Sequence, residues 1–355
     1  MAVSIADIQK IRKMTGAGLA DCKKALTDAE GDFDKAVQII REKGQAIAAK
    51  RSDRETSNGC VLVKADNGFS AMIALKCETD FVANGKDFIA LTQSILDAAV
   101  AAKAKTLDEV KALPLNGSTV QDEVIARSGI TGEKTELDGY LYLEGDNVSV
   151  YDHMNKHLLC TMVQTNKPAE EQAHAVAMQV AAMNPTYISR NDISAEELAK
   201  LQEITVDAAL NDPASLPKPI LNKLIDKAMN SSAWSDEDKA IYEEKKSNMN
   251  YLFNFLSKEA AAALAELAMA DKDAIVSDKI FKGLADGRVS KQLKEICLLD
   301  QTYVKAEDGK QTVAKYLESV NKALTIAKVV RFEVGEGMEK KNEDFAAEVA
   351  AQKKG

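Results

Sequence analysis

The sequence lacks the patterns that mark a secreted, membrane-spanning or nucleotide-binding protein. No apolar run approaches the roughly 18 residues that suggest a transmembrane helix, and the opening segment MAVSIADIQK has no basic-then-apolar signal pattern. The few cysteines follow no short spacing, which favours reduced thiols over a disulfide framework. They are Cys22, Cys60, Cys77, Cys160 and Cys297. These absences predict a cytoplasmic protein without a membrane partner.

Motifs for covalent or metal-assisted catalysis are also missing. The chain has no G-x-x-x-x-G-K-[ST] loop and no G-x-S-x-G elbow, and Gly335-Glu336-Gly337 lacks the third glycine of a dinucleotide fingerprint. Only three histidines occur, and His153 and His157 lie four apart in a strand-and-turn segment without a set of cysteines or carboxylates. A nucleophilic Cys77 beside Glu78 has no evident base. We therefore predict no catalytic residue, no cofactor, no metal and no nucleotide bound by this chain.

The residues that are present indicate an ordinary soluble protein of two or three domains. The 355 residues are 46% hydrophobic and 28% charged, which is enough apolar material for a sizeable core. The net charge of −9 argues against a general nucleic-acid binder, whose surface would be basic. We expect no direct contact with nucleic acid.

Residues 1–51 predict a small module of three helices. Ser4 and Asp7 resemble a capping box at the start of the first helix, and Gly16 and Gly18 end it. A second helix begins near Leu19, and Asp32 is a suitable N-cap for a third. Such a small core favours docking over catalysis, and the polar, alanine-rich segment 41–59 predicts a linker.

Two later segments resemble each other and predict a duplicated strand–strand–helix unit. Residues 59–82 give two strands joined by Asn67-Gly68, a strong hairpin signal, followed by a helix. Residues 139–166 repeat this order with a turn at Asp146-Asn147, and a helix with Pro168 in its first turn spans 168–183. The predicted fold is therefore α+β, with small antiparallel sheets in a duplicated core.

The remaining chain predicts an inserted helical hairpin and a C-terminal helix. Residues 250–270 keep a helical stripe, and the aromatics at 251, 253 and 255 either pack inside the hairpin or anchor a partner. A strand is expected at 327–337 and a helix at 342–355. The predicted domains are a helical module at 1–51, core subdomains at 52–137 and at 138–192 with 276–335, the hairpin at 193–275, and a C-terminal module at 336–355.

The segment LKCETDFVAN, residues 75–84, places the acid Asp80 directly beside the large apolar ring of Phe81 at a predicted loop tip. The second copy of the unit has roughly Thr165-Asn166-Lys167 at the same place. A feature found in one copy only is a weak candidate for a packing requirement, so we interpret the Asp80-Phe81 pair as functional.

Three motifs, TGAGLADCKKAL, ETDFVA and RFEVGEGMEKKNEDFAAEV, together resemble the bacterial elongation factor Ts family, whose members are guanine-nucleotide exchange factors for elongation factor Tu. The order of regions fits as well, with residues 1–51 corresponding to a ubiquitin-associated-like module. The resemblance spans nearly the whole chain, although residues 211–275 form a longer helical segment than the family pattern.

The resemblance implies a site on this chain and two possible functions. The loop Thr79-Asp80-Phe81-Val82 would push into the partner's GTPase domain near its magnesium and phosphate region. Further contacts with GDP-bound or nucleotide-free elongation factor Tu would come from Arg12, Leu19, His153, Phe345 and Val349. The alternative to exchange is an escort or assembly subunit that binds a GTPase without accelerating nucleotide release.

Overall fold

The computed structural model describes residues 3–335, which divide into two compact units. The first unit contains residues 3–184 and 317–335, and the second contains residues 185–316. No helix among these described residues is long and apolar enough to cross a membrane.

The N-terminal module consists of α1 (Ile5–Thr15), α2 (Leu19–Asp28) and α3 (Phe33–Lys50). Its helix starts are those that the sequence predicts, because the Ser4 and Asp32 side chains each accept the backbone N–H three residues ahead at 3.1 Å. Gly16 ends α1 in the left-handed region, with φ 69°. The small core of the module is built from Ile11, Ala17, Cys22, Ala25, Leu26, Ala29 and Ala36.

The predicted linker at 41–59 is wrong over its first half. Helix α3 continues without interruption to Lys50, and Gly44 in its middle is buried. A helix can continue through an alanine-rich, polar stretch when one face packs against another element, and composition alone does not reveal that packing. The residues between α3 and the first strand are 51–57.

The core of the first unit begins with a strand hairpin and continues through helices into a third strand. The elements in order are β1 (Asn58–Asp66), β2 (Phe69–Cys77), α4 (Asp80–Ala83), α5 (Lys86–Ala102), α6 (Leu107–Ala112), β3 (Pro114–Leu115), β4 (Ser118–Thr119), α7 (Val120–Thr131) and β5 (Thr135–Glu144). Asn67 and Gly68 have φ values of 46° and 71°, as a tight hairpin turn between β1 and β2 requires.

The described residues form two three-stranded antiparallel sheets and a two-stranded one, β3-β4. The first three-stranded sheet has the strand order β1-β2-β5. The second contains β6 (Val148–Asp152), β7 (Leu159–Thr165) and β8 (Ile326–Glu333) in the order β6-β7-β8, with α8 (Glu170–Met183) packed on it. One face of the first sheet buries Ile73, Leu75, Phe88, Leu91, Ile95 and Leu96; its other face packs on the second sheet through Val61, Met72, Ala74, Leu143, Cys160 and Met162. The predicted α+β class is confirmed.

The sequence predicts that the Asp146-Asn147 turn joins two paired strands, as Asn67-Gly68 does between β1 and β2. In the structure this turn does not close a hairpin. Strand β5 hydrogen-bonds to β2 in the first sheet, and the turn after it leads to β6 in the second sheet. Strand β2 is buried at every position and needs partners on both edges, so it takes β5 as well as β1. The hairpin of the second sheet joins β6 to β7 through the short turn His153–Asn155.

One predicted helix boundary and one predicted strand boundary are also corrected. Helix α8 begins at Glu170 after Ala169, so Pro168 precedes the helix and is not in its first turn. The predicted strand at 327–337 is β8, which ends at Glu333. Strand β5 runs across residues 137 and 138, where the sequence divides the two core subdomains. The domain boundaries stay a prediction.

The second unit is helical and has its own core. Its helices are α9 (Ala195–Leu210), α10 (Lys218–Met229), α11 (Asp236–Lys245), α12 (Lys258–Ala270), α13 (Lys272–Ser277) and α14 (Lys279–Ile296), and α15 (Val313–Val320) follows at its C-terminal end. Buried side chains of this core include Leu210, Leu224, Ile225, Trp234, Leu264 and Phe281.

A single helix over 250–270 is not formed. A 3-10 helix covers Lys246–Asn254, and α12 starts at Lys258 because the Ser257 hydroxyl caps it by accepting the N–H of Ala260 at 3.0 Å. Of the three aromatics in this segment, Phe253 packs against the core, whereas Tyr251 and Phe255 are half exposed or more.

Candidate partner-binding site

The residues after β2 form a single helical turn where the sequence predicts a loop. Thr79 is the N-cap of α4, and its hydroxyl accepts the N–H of Val82 at 3.5 Å. The Asn84 side-chain amide closes the turn by donating to the carbonyl of Asp80 at 2.8 Å. Gly85 then caps α5. We call residues 79–85 the 79–85 turn.

Asp80 and Phe81 are presented to solvent at the top of this turn. Phe81 exposes 88% of its surface, the largest fraction among the exposed large hydrophobic residues of the described chain. Within residues 3–335, no hydrogen bond or ion pair engages the Asp80 carboxylate. The turn therefore offers an apolar ring and an unpaired negative charge side by side.

The lower side of the turn is attached to the core. Ala83 is 6% exposed and belongs to the core on the helix-covered face of the first sheet, and Val82 packs against it. Gly85 lies so close to the Val82 carbonyl that an added Cβ would stand 3.0 Å from its oxygen. The backbone below Phe81 is thus held in place while the ring itself has no support.

Glu133, in the connection between α7 and β5, holds the first residue of the turn. Its Oε1 accepts the Thr79 hydroxyl at 2.7 Å and its Oε2 accepts the Thr79 N–H at 3.0 Å. The Thr79 hydroxyl can donate to Glu133 while its oxygen caps Val82. Both oxygens of the Glu133 carboxylate therefore accept hydrogen bonds from Thr79.

Glu78, directly before the turn, is held by Arg51 at the C-terminal end of α3 and by the backbone of Lys134. Arg51 Nη1 donates to Glu78 Oε1 and Oε2 at 2.8 and 2.9 Å, and the Lys134 N–H donates to Oε1 at 2.7 Å. Burial alone would raise the pKa of Glu78, but these donors outweigh it and hold the pKa below its usual value. The carboxylate stays charged and ties the N-terminal module to the residue before the turn.

Cys77 does not have the character of a nucleophile. The thiol is fully buried, and its Sγ donates to the Thr79 carbonyl at 3.2 Å. Burial, followed by the charge of Glu133, raises the pKa of Cys77 to about 12, so the thiolate is not formed near neutral pH.

Arg12 and Leu19 lie on exposed surface of the N-terminal module. Leu19 opens α2 and is 51% exposed, and Met14 just before it is 57% exposed, so neither belongs to the core of the module. Arg12 lies on α1 and lines a cleft of about 640 Å³ together with Arg127 of α7. Within that cleft the Arg127 Nε is buried without a hydrogen-bond partner.

His153 lies at the tip of the β6–β7 hairpin and is half-buried. Its Nδ1 stands 3.3 Å from the Tyr151 hydroxyl, and the Tyr151 ring also meets His174 edge-on. His157, four residues on, is paired with Asp152 at 2.5 Å. Among residues 3–335 no three side chains of His, Cys, Asp or Glu are arranged to hold a metal ion.

Phe345 and Val349, the remaining predicted contact residues, lie outside the described residues. The structure brings Thr79, Asp80, Phe81 and Val82 together in one turn, and it places Arg12 and Leu19 on helices of the N-terminal module. His153 lies in the connection between two strands of the second sheet, whereas the strand that leads into the 79–85 turn belongs to the first sheet.

Comparison with known proteins decides the family. A family model described as Elongation factor TS matches residues 78–336. An Elongation factor Ts of Bacteroides fragilis is 50% identical over 336 residues, which are 94% of this chain and 98% of the relative. Those of Parabacteroides distasonis and Porphyromonas gingivalis are 48% and 39% identical over 335 and 334 residues, with the same coverage. The chain belongs to the elongation factor Ts family.

The residues that sequence reasoning missed in this elongation factor Ts family member are Glu133, Arg51 and Lys134. Each lies far from residues 78–85 along the chain and meets them only through the fold. The available signal was Gly132, a helix-ending glycine with φ 72° that directly precedes Glu133. It predicts a turn there but not what the turn faces.

Proposed function

We propose that this protein binds elongation factor Tu and promotes release of its bound GDP, with the 79–85 turn as the part that disturbs the nucleotide site. Membership of the elongation factor Ts family supports the partner and the class of activity. The observation that carries the assignment to the turn is the exposure of Phe81, 88%, beside the unpaired Asp80. At this exposure the Phe81 ring contributes little to the packing of the free protein, so it is available to a partner.

Phe81 and Asp80 have different roles in the proposal. The Phe81 ring enters an apolar pocket of the partner, where burying a phenylalanine contributes about 1.5–3 kcal/mol. Asp80 brings a negative charge close to the groups that position the partner's magnesium ion and disturbs them by charge and hydrogen bonding. It acts as a transient perturbation and not as a permanent metal ligand.

The turn acts together with a broader interface. Nanomolar nucleotide binding corresponds to roughly 12 kcal/mol, and each tenfold loosening requires about 1.4 kcal/mol. The proposed additional contacts are Arg12, Leu19, His153, Phe345 and Val349. Coupling is reciprocal, so GDP weakens binding of this protein by the same factor by which this protein weakens GDP. No covalent step is needed in either chain.

Stopped-flow release of a fluorescent GDP analogue from purified elongation factor Tu tests the proposal. We expect the wild-type protein to accelerate release strongly and Asp80→Ala/Phe81→Ala to remove most of the acceleration. Ile280→Ala is the control, because it removes a half-exposed apolar side chain of the second unit that is not among the proposed contacts, and it should leave release unchanged. Binding of each variant to nucleotide-free partner is measured in parallel.

The outcomes separate the candidate functions. Acceleration that survives the double substitution would place the activity outside the 79–85 turn. Tight binding without any acceleration at saturating wild-type protein would overturn exchange and favour the escort.

A further inference from the structure

We propose that Glu133 is the positioning residue of the exchange reaction: its carboxylate holds the 79–85 turn in the shape that presents Asp80 and Phe81. This inference rests on the proposed function. Glu133 is half-buried beneath the turn, so it is placed to act through Thr79 rather than by touching the partner.

The turn needs such a support because it is very short. Helix α4 contains four residues, and an isolated helix of that length is not stable in water. Its Phe81 makes no packing contribution, and Asp80 makes no side-chain bond within the described chain. Val82 and Ala83 hold the C-terminal half of the turn against the core. The order of its first half, which presents Asp80 and Phe81, therefore depends on the capping residue Thr79 and on what holds Thr79.

Glu133 satisfies both donors of Thr79 at once. The backbone N–H and the hydroxyl of Thr79 point to the two oxygens of one carboxylate, at 3.0 and 2.7 Å. Hydrogen bonds to an ionised acceptor are roughly twice as strong as those between neutral groups. The bond to the hydroxyl also orients its oxygen toward the N–H of Val82, which it caps. Glu133 thus fixes both the position of Thr79 and the hydrogen bond by which Thr79 caps α4.

The arrangement is reciprocal between two dipeptides. The Glu133 side chain accepts the N–H of Thr79, and the Glu78 side chain accepts the N–H of Lys134 at 2.7 Å. Arg51 closes the same network from α3. Two neighbouring carboxylates therefore lock residues 78–79 to residues 133–134, which places the start of the turn on a rigid base.

Loss of Glu133 is expected to slow GDP release because Phe81 is then no longer presented in a fixed position. Without Glu133, the first half of the turn samples other conformations. Ordering it in the complex then costs free energy, so a smaller fraction of encounters with the partner leads to GDP release. Glu133→Ala is expected to slow the accelerated GDP release about tenfold at saturating protein, because both charge-assisted bonds are lost. Glu133→Gln keeps one carbonyl acceptor and is expected to lie between wild type and Glu133→Ala.

A double-mutant cycle distinguishes positioning from a general loss of structure. We would measure GDP release with Glu133→Ala, Phe81→Ala and the double variant. Positioning predicts that Glu133→Ala slows release in the wild-type background and has little further effect once Phe81 is absent. Equal loss in both backgrounds, or no loss in the wild-type background, would overturn it.

Glu136→Gln is the matched control. Glu136 lies three residues further on, is also half-buried, and accepts the hydroxyl of Thr56 while pairing with Lys134 at 3.0 Å. Its substitution removes a carboxylate that bonds a threonine and the Lys134 side chain, while the Lys134 N–H remains available to Glu78 and no contact of the 79–85 turn is removed. We expect its thermal stability to change about as much as that of Glu133→Gln, with release unaffected.

Amide hydrogen exchange of the free protein tests the support without any partner. In Glu133→Ala the N–H groups of Thr79, Val82 and Ala83 should lose protection while those of β1 and β2 keep theirs. Unchanged protection of the turn would overturn the inference even if exchange is confirmed. If the protein accelerates no release, the proposed function fails, and the hydrogen-exchange result still reports whether Glu133 orders the turn.

Discussion

At the scale of single residues, the 79–85 turn separates the demands of folding from those of binding. Val82 and Ala83 face the core and hold the turn down, while Asp80 and Phe81, directly before them, face water. An exposed phenylalanine contributes nothing to the stability of the free protein, because its apolar surface is not removed from water. Its contribution comes only when a partner covers it.

Phe81→Ala is therefore expected to change the free energy of unfolding by less than about 0.5 kcal/mol, as for an ordinary surface substitution. Phe69→Ala, at a position that is 1% exposed, removes the same ring from the core and should cost about 3–5 kcal/mol. Denaturant unfolding of both variants measures the difference. A destabilisation of Phe81→Ala comparable to that of Phe69→Ala would show that the ring packs within the free protein.

Glu78 gives the molecule a defined response to acid. Its pKa in the folded protein lies below the usual 4.5, because the Lys134 N–H and Arg51 outweigh the effect of burial. The stabilisation is therefore fully present above about pH 4.5 and is lost as the pH falls through the folded-state pKa. We expect Glu78→Gln to destabilise the protein at neutral pH and to reduce its further loss of stability below pH 4.5.

Urea unfolding at several pH values between neutral and acid measures this effect. An unchanged pH dependence in Glu78→Gln would mean that the Arg51 and Lys134 contacts do not favour the charged carboxylate.

At the scale of elements, the crossing of α3 and α7 attaches the N-terminal module to the core. Gly44 and Gly129 meet where the two helices cross, and a Cβ built on Gly129 would stand 2.4 Å from the Gly44 Cα. Only glycine permits helix backbones to come this close. This contact explains why α3 runs on through the stretch that the sequence predicts as a linker.

Gly129→Ala is expected to destabilise the protein by about 1–3 kcal/mol, because the backbones must separate to admit the methyl group. Gly287→Ala in α14 is the opposite case, since no atom lies within 4 Å of its Cβ and alanine favours helix by about 0.5–1 kcal/mol. Thermal unfolding of the two variants should show shifts of opposite sign. A neutral Gly129→Ala would contradict the close crossing.

At the scale of the whole molecule, two units with separate cores predict separable stability. Leu224 is 1% exposed in the core of the second unit, and Leu96 is fully buried in that of the first. Truncation of either to alanine should cost about 2–5 kcal/mol in the unit that contains it. We expect amide protection to fall within residues 185–316 for Leu224→Ala and within residues 3–184 and 317–335 for Leu96→Ala.

Hydrogen exchange followed by mass spectrometry resolves the two ranges. An equal loss of protection across both units in either variant would indicate that they unfold as one cooperative body.

Local signals in the sequence predicted much of the secondary structure. Ser4, Asp32 and Asn67-Gly68 were sufficient because a cap or a tight turn is satisfied by atoms a few residues away. The same reasoning failed for the partner of β5 and for the length of α3. Strand pairing and helix packing depend on residues far along the chain, which a local pattern does not name.

The sequence by itself determined the α+β class, the caps and hairpin turn, the family and the identity of the Asp80-Phe81 pair as the candidate site, because composition, local hydrogen bonding and short motifs are properties of neighbouring residues. Only the tertiary structure decided that Phe81 is exposed on a helical turn and that Glu133, 54 residues from Thr79, holds that turn. The Glu133 carboxylate can reach the two donors of Thr79 only after β5 has paired with β2. That pairing places the end of β2, at Cys77, beside the start of β5, at Thr135.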